Sequence, residues 1–388
     1  MPTMIDRLRI LILNEDLGLG GVETMTVQLA NSLSEQAECD VFVAAADGPL
    51  RARLLPEVCF NDIPKLRPPT IPALVTALSA VIAHVRPQIV HSQGASIAFL
   101  ARIAARREHH LALNVLTRHS RETEKLPAFV GNRLMKWSCN HVIAISGSTH
   151  DDLRGAGFDS ASLSLIPNFL DLEHIATALQ RSSLQDTRDN LYIDGHRPII
   201  AMTGRLIPAK RFDRFIQILA DVGRFGGEKP VGLVIGEGVA RPQLQALAAQ
   251  HAETADIRFL GYQEDIYPFL AVSNAYLFPS EHPEVLPMAL IEALAAGLPI
   301  ICSDIPGNRD IITHGYNGLI VNGPNLAYAE QVIRVLQDQQ LAGFLSNNAC
   351  STARQTYDRR AVVNNILQLY KELVGGSRFR SSKPVMTA

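Results

Sequence analysis

Short runs of Val, Ile and Leu alternate along this chain with longer stretches in which apolar residues recur every third or fourth position. The short runs suit strands buried on both faces of a parallel sheet, and the longer stretches suit amphipathic helices covering it. In the first half the pattern predicts strands near 8–13, 41–45, 88–91, 112–117 and 141–145, and helices near 23–36, 72–85, 97–107 and 129–140. Residues 171–197 are polar and weakly periodic, broken at Arg181-Ser182-Ser183 and Asp194-Gly195-His196, and read as a linker. A fresh alternation follows, with strands near 199–203, 231–235, 257–260, 275–278 and 299–302 and helices near 212–223, 242–251 and 287–296. The fold class is therefore α/β, with two doubly wound Rossmann-like domains at 1–170 and 198–357. Helical patterns from Tyr328 to Leu373 close the chain. Its last helix covers 358–375, and 376–388, with Arg378, Arg380 and Lys383 among serines, reads as a flexible tail.

Composition narrows the classes without choosing one. A chain of 388 residues exceeds the size at which one core keeps growing, in keeping with two domains. With 47% apolar residues and a net charge of −2, it resembles neither a nucleic-acid binder nor an enzyme of acidic substrates. Cys39, Cys59, Cys139, Cys302 and Cys350 are odd in number and scattered, which suits reduced thiols in the cytoplasm better than a disulfide framework or a zinc site. The opening apolar run is interrupted by Glu15 and Asp16 too early for a signal peptide. No run approaches twenty apolar residues, so no membrane-spanning segment is expected.

The most informative chemistry lies at Glu284-Val285-Leu286-Pro287 and Glu292, followed by Ala293-Leu294-Ala295-Ala296-Gly297-Leu298-Pro299. Glu284 precedes a helix and Glu292 lies within it, so both carboxylates are expected to face one crevice. Ionised carboxylates only accept hydrogen bonds and are costly to bury unpaired, so such a crevice calls for hydroxyl donors or cations. The same spacing also fits a solvent-facing Glu292 with Glu284 capping the helix. Arg205 and Lys210 follow the strand at 199–203, where ligands of open α/β sheets bind and a guanidinium with an ammonium can clamp a diphosphate. Gly18, Gly20 and Gly21 follow the first strand and open a helix. Glu23 stands where a dinucleotide fingerprint needs glycine, so that motif fails.

In order along the chain, Gly20-Gly21-Val22-Glu23, Val90-His91-Ser92-Gln93-Gly94, Val142-Ile143-Ala144-Ile145-Ser146, Ile166-Pro167-Asn168, Gly204-Arg205-Leu206 with Lys210, Gly236-Glu237-Gly238, Phe259-Leu260-Gly261, the Glu284/Glu292 segment and Ser303-Asp304-Ile305-Pro306-Gly307 resemble retaining glycosyltransferases of family 4. The resemblance spans about residues 8 to 325. It implies the GT-B architecture, in which two Rossmann-like domains flank a cleft, with the acceptor on the first domain, the nucleotide sugar on the second, and the last helix returning to the first. It implies a UDP-sugar or GDP-sugar donor and a saccharide or lipid-linked acceptor, as in lipopolysaccharide or exopolysaccharide assembly. Glu292 would accept ribose hydroxyls, Glu284 would contact the sugar, Gly261 and Tyr262 would lie beside the base, and Arg205 with Lys210 would stabilise the departing diphosphate. Gly20 and Gly21 match the loop lying against donor and acceptor, and His119 matches a histidine near the transferred sugar. Retention by front-face attack is implied, with neither acid a nucleophile. No Asp-x-Asp occurs, so a divalent cation and any other cofactor are expected to be dispensable.

Val285 departs from this pattern, which has glycine there; valine would be strained if the position needed φ above zero. A sugar-nucleotide epimerase on the same scaffold and a non-catalytic sugar-nucleotide binder remain alternative readings. Between residues 100 and 140, eight bases (Arg102, Arg106, Arg107, Arg118, Arg121, Lys125, Arg133, Lys136) face three acids, Glu108, Glu122 and Glu124. Leu126, Phe129, Val130, Leu134, Met135 and Trp137 interleave with them. Such a surface predicts peripheral, salt-sensitive contact with the inner face of an anionic membrane, although the same apolar residues could pack on the sheet instead.

Overall fold

The run Leu-Arg-Ile-Leu-Ile-Leu opens β1 (Leu8–Asp16), an interior strand of the first of two sheets in the computed structural model. The structure describes residues 7–119, 128–181, 183–194, 196–281 and 284–381. After β1 come α1 (Gly21–Ser34), β2 (Cys39–Ala46), β3 (Cys59–Asp62), α2 (Ile71–Val85), β4 (Ile89–Ser92), α3 (Ala95–Arg107), β5 (Leu113–Arg118), α4 (Ala128–Ser138), β6 (His141–Ala144), α5 (Gly147–Gly155) and β7 (Leu163–Leu165). The seven strands lie in the order β3-β2-β1-β4-β5-β6-β7, all parallel. Leu11, Leu13, Val90 and Ile97 pack with Leu74, Leu78 and Ile82 of α2 on one face.

The second unit begins with α6 (Leu172–Arg181) and α7 (Leu184–Asn190), then alternates β8 (Ile199–Thr203), α8 (Phe212–Phe225), β9 (Val231–Ile235), α9 (Arg241–Gln250), β10 (Asp256–Gly261), α10 (Tyr267–Ala271), β11 (Ala275–Phe278), α11 (Met288–Ala295), β12 (Ile300–Ser303), α12 (Pro306–Arg309), β13 (Leu319–Val321), α13 (Asn325–Gln337) and α14 (Gln339–Thr356). Its parallel sheet runs β10-β9-β8-β11-β12-β13. The unit comprises Phe169–Asp358, and α15 (Arg359–Ser381) belongs with the first, where Tyr370 is fully buried.

Several elements differ from the sequence reading for local reasons. The stretch 171–197 is helical rather than irregular: Asp171 accepts from His174 N at 3.0 Å, Ser183 caps α7 by accepting from Asp186 N at 3.1 Å, and both helices belong to the second unit. The final helix passes Gly375 and Gly376 and ends at Ser381. β3, β7 and β13 have three or four residues and lie at or beside sheet edges, where no long apolar run announces them. α5 is polar in sequence and starts at a Ser146 cap. One stretch, Pro68–Val85, reaches a mean hydropathy of 1.5 over 18 residues, enough by length and composition to cross a membrane. Its Leu74, Leu78, Ile82 and Val85 are built into the sheet core, which accounts for the apolar pattern.

Each sheet has one topological switch point, where the chain leaves neighbouring strands in opposite directions. These are β1/β4 in the first unit and β8/β11 in the second. The carboxyl ends of such strands open a crevice in any doubly wound sheet, and the motif residues collect there.

Candidate functional site at two strand edges

In the second unit the loops after β8 and β11 meet at the switch point. Thr203 ends β8, and the turn Pro208–Lys210 leads into α8. Lys210 Nζ donates to Glu284 Oε1, an ion pair whose side chains are 20% and 15% exposed, so it is shielded more than a surface pair. The ammonium also lies 5.9 Å from the centre of the Phe278 ring. Arg205 is exposed, and its guanidinium has no partner among the described residues. The structure therefore brings one acid and one base of the sequence motifs into contact and leaves a second base free on the same edge.

Glycine makes the edge compact. Gly236, at φ 143°, donates to Gly261 O at 2.8 Å, and a Cβ there would sit 1.9 Å from Gly204 O. The ends of β8, β9 and β10 thus approach at backbone distance, placing Arg205 and Tyr262, which is 58% exposed, along one rim. At Gly307 a Cβ would lie 2.1 Å from Glu284 O, so α12 can press against the acid-bearing loop only because the residue is glycine. Val285, Leu286 and Pro287 are buried, and Val285 keeps an ordinary negative φ, so valine carries no backbone strain there.

Glu292 stands on α11, half-buried, with burial pushing its carboxyl up to about 7. Its charge and that of Glu284 both act on Tyr276, whose buried hydroxyl lies 2.8 Å from Thr203 Oγ1. Glu281, ahead of Glu284, is tethered by residues that sequence reasoning passed over. Arg214, 7% exposed, donates to Glu281 Oε1 at 2.9 Å, to Asn325 Oδ1 at 2.9 Å and to Gly323 O. Arg211 also donates to Glu281. Arg211-x-x-Arg214 at the start of α8 was the visible signal, but its partners are distant in sequence.

In the first unit the loops after β1, β4 and β5 share the other edge. Asp16 Oδ1 accepts from Gly18 N at 2.9 Å while Oδ2 pairs with Lys65, which holds the Asp16 carboxyl below its ordinary range. Gly20 caps α1 in extended conformation, and Gly21 begins the helix with open space where a side chain would stand. Gly20 O accepts from Thr24 N at 3.0 Å, so the glycine loop is pinned at both ends. His119 follows β5, half-buried, with Nε2 2.7 Å from Gln93 Oε1 and its pKa pushed down to about 4 by burial. His91 is different. It is fully buried, with Nδ1 2.5 Å from Tyr370 Oη and Nε2 2.7 Å from Thr117 Oγ1, so both nitrogens serve the fold.

On the outside of this unit the basic segment divides. Met135 is buried in the core, while Phe129 and Trp137 are 75% and 38% exposed. Arg106 lies over Trp137 at 4.7 Å, and Phe99 meets the same ring at 5.4 Å. Arg133 is exposed on the same side of α4. Lys136 is occupied by Ala156 O at 3.0 Å and Gly157 O at 2.8 Å. Arg121, Glu122, Glu124, Lys125 and Leu126 lie outside the described residues. Among the described residues no group of three His, Cys, Asp or Glu side chains could hold a metal ion.

Comparison with known proteins gives this geometry a lineage. The chain matches Glycosyltransferase Family 4 over residues 19–174 and Glycosyl transferases group 1 over residues 185–352. It is 29% identical over 174 residues to the lipopolysaccharide core biosynthesis glycosyltransferase LpsE of Rhizobium meliloti, covering 44% of this chain and 49% of LpsE, so the match spans about half of that relative. It is 25% identical over 382 residues to the UDP-Gal:alpha-D-GlcNAc-diphosphoundecaprenol alpha-1,3-galactosyltransferase of Escherichia coli, covering 92% and 95% of the two chains. Anabaena HepE in complex with UDP-glucose superposes with a TM-score of 0.77 at 18% identity, over 94% of this chain and all of HepE, and shares the GT-B fold. With two successive matches that together take in most of its length, the chain belongs to the glycosyl transferases group 1 of glycosyltransferase family 4.

Proposed function

We propose that this protein is a retaining hexosyltransferase that moves a sugar from a nucleotide diphosphate to a lipid-linked saccharide at the inner face of a bacterial membrane, in cell-surface polysaccharide or lipopolysaccharide synthesis. The Lys210–Glu284 pair at the second switch point carries the reading. An ammonium held against a carboxylate beside a free guanidinium offers cations for a diphosphate and an acceptor for sugar hydroxyls on one rim. Breaking the sugar–phosphate bond develops negative charge on the leaving diphosphate, and Arg205 and Lys210 would stabilise it there. Glu284 would orient the sugar, Glu292 would accept the ribose hydroxyls, and Gly261, Tyr262, Val285, Leu286 and Pro287 would line the donor. Gly20, Gly21 and His119 belong to the acceptor-side edge of the first unit.

A UDP-sugar is favoured because the Escherichia coli relative is named for UDP-Gal and HepE is described with UDP-glucose. The lipid-linked acceptor rests on that relative's diphosphoundecaprenol acceptor and on the exposed Phe129, Trp137, Arg106 and Arg133. Bases beside exposed aromatics suit peripheral contact with anionic lipid. The test is to offer UDP-galactose, UDP-glucose, UDP-N-acetylglucosamine and GDP-mannose, with and without undecaprenyl-diphosphate-linked N-acetylglucosamine. Release of UDP that requires the lipid-linked acceptor, with an α-linked product, is expected. An epimerised nucleotide sugar formed without acceptor would replace this reading with the epimerase one, and stabilising binding without turnover would make the protein a binder.

A further inference from the structure

We infer that Gln93 is a positioning residue: its amide oxygen holds His119 as the Nε2–H tautomer and leaves Nδ1 as a hydrogen-bond acceptor for a substrate hydroxyl. The inference rests on the reading of His119 as part of the reacting edge and adds what that ring can recognise.

Gln93 directly follows β4 at the first switch point, and its backbone N donates to Leu13 O at 2.9 Å, extending the sheet ladder one residue beyond the strand. The residue is 6% exposed, so its side chain has little freedom to turn into solvent. Its Oε1 lies 2.7 Å from His119 Nε2. An amide oxygen has no proton to give, so the shared proton belongs to the ring, and a neutral imidazole then has its lone pair on Nδ1. Among the described residues none donates to that nitrogen.

The surroundings keep the ring neutral. Burial pushes the His119 pKa down to about 4, and the neighbouring His91 is pushed to about 3 with both nitrogens engaged by hydroxyls. Arg118, the preceding residue, is itself partly desolvated and coupled to Asp152. A neutral ring presenting only a lone pair selects hydrogen-bond donors, so its ligand is a hydroxyl rather than a phosphate or carboxylate oxygen. The chemical class recognised here is thus the uncharged, hydroxyl-bearing part of a substrate.

Nuclear magnetic resonance of the full chain labelled with ¹⁵N-histidine tests this directly, the His119 signals being assigned by their loss in His119→Ala. Long-range ¹H–¹⁵N correlations should show Nε2–H for His119 in the parent and a tautomer mixture in Gln93→Leu, with unchanged His91 signals reporting an intact strand end. Gln93→Glu should keep Nε2–H but raise the titration of the ring, because a carboxylate favours the imidazolium. Nδ1–H in the parent, or an unaltered tautomer in Gln93→Leu, overturns the inference. In transfer assays with UDP-galactose and the lipid-linked acceptor, Gln93→Leu should lower kcat about tenfold, the scale of one lost hydrogen bond, without changing KM for the donor. Gln93→Glu should regain rate as pH rises and the imidazolium loses its proton. If His119→Ala transfers at the parent rate while the tautomer results hold, the placement of His119 at the reaction fails and the hold of Gln93 on the ring stands.

Discussion

The two strand edges solve opposite problems. That of the second unit is charged, with Arg205 free on the rim, Lys210 against Glu284, and Glu292 half-buried nearby. That of the first presents neutral groups beside partnered charges: His119 is held by an amide, His91 is closed off by two hydroxyls, and Asp16 is paired with Lys65. Both sit at equivalent switch points of equivalent sheets, so topology supplies the crevice and the side chains decide its chemistry. Fixed cations fit a diphosphate that becomes more negative as its bond to the sugar breaks, while neutral acceptors fit hydroxyl groups.

The largest expected effect lies on the charged edge. Arg205→Ala and Lys210→Ala should each reduce the transfer rate by about two to three powers of ten, the scale of losing one preorganised charge contact in the transition state. Circular dichroism should show both folded, and near-parent rates in both would remove the diphosphate clamp. Glu284→Ala should lower kcat by about a hundredfold while leaving UDP affinity equal or tighter, since it frees Lys210 from its pair. A large loss of UDP affinity would instead make Glu284 a support for the loop.

Glu292 gives a smaller effect with a pH signature. Burial holds its carboxyl near 7, above the ordinary 4.5, so from pH 5 to 7 the folded protein retains a proton that the unfolded chain has lost. This contribution makes stability fall as pH rises through that window. Ribose hydroxyls donating to Glu292 favour its ionised form, so UDP binding below pH 7 should release protons, and the release should fade above pH 8. Calorimetry in buffers of different ionisation enthalpy measures it. Glu292→Gln should reduce the release and weaken UDP about tenfold; unchanged affinity and release would remove the ribose role.

The smallest effect concerns the outer face of the first unit. Because Lys136 is committed to two carbonyls, the informative exchange is Arg106→Glu with Arg133→Glu. Each base near an anionic surface is worth about 1 kcal/mol, so binding to phosphatidylglycerol vesicles at low salt should fall by at least about tenfold. Binding unaffected by the exchange, or absent from the parent, would return Phe129 and Trp137 to ordinary surface residues.

Legibility in the sequence followed locality. β8 and β11 are contiguous apolar runs with motif residues at their ends, so Arg205, Lys210 and Glu284 could be named without coordinates. Their pairing could not, because Lys210 and Glu284 are 74 positions apart. A separation of 67 positions hid the Arg214–Glu281 tether, and Lys65 offered no pattern linking it to Asp16. Gln93 stood inside a quoted motif, yet only the closeness of β4 and β5 shows what its amide touches. Val285 looked costly by analogy with glycine, and its negative φ removes the cost. The interleaved apolar residues near 129–137 were ambiguous because helical spacing alone does not tell which face the sheet covers. Met135 went inside, while Trp137 stayed partly exposed against Phe99 and Arg106.

The most direct measurement is calorimetric titration of UDP and GDP beside the phosphate-free nucleosides, in the parent and in an Arg205→Ala, Lys210→Ala double variant. If the charged edge binds the diphosphate, one nucleotide should bind the parent at least about a hundredfold more tightly than its nucleoside, about 2.7 kcal/mol, and most of that difference should vanish in the variant. Equal affinities of nucleotide and nucleoside in the parent, or an undiminished difference in the variant, would contradict the account.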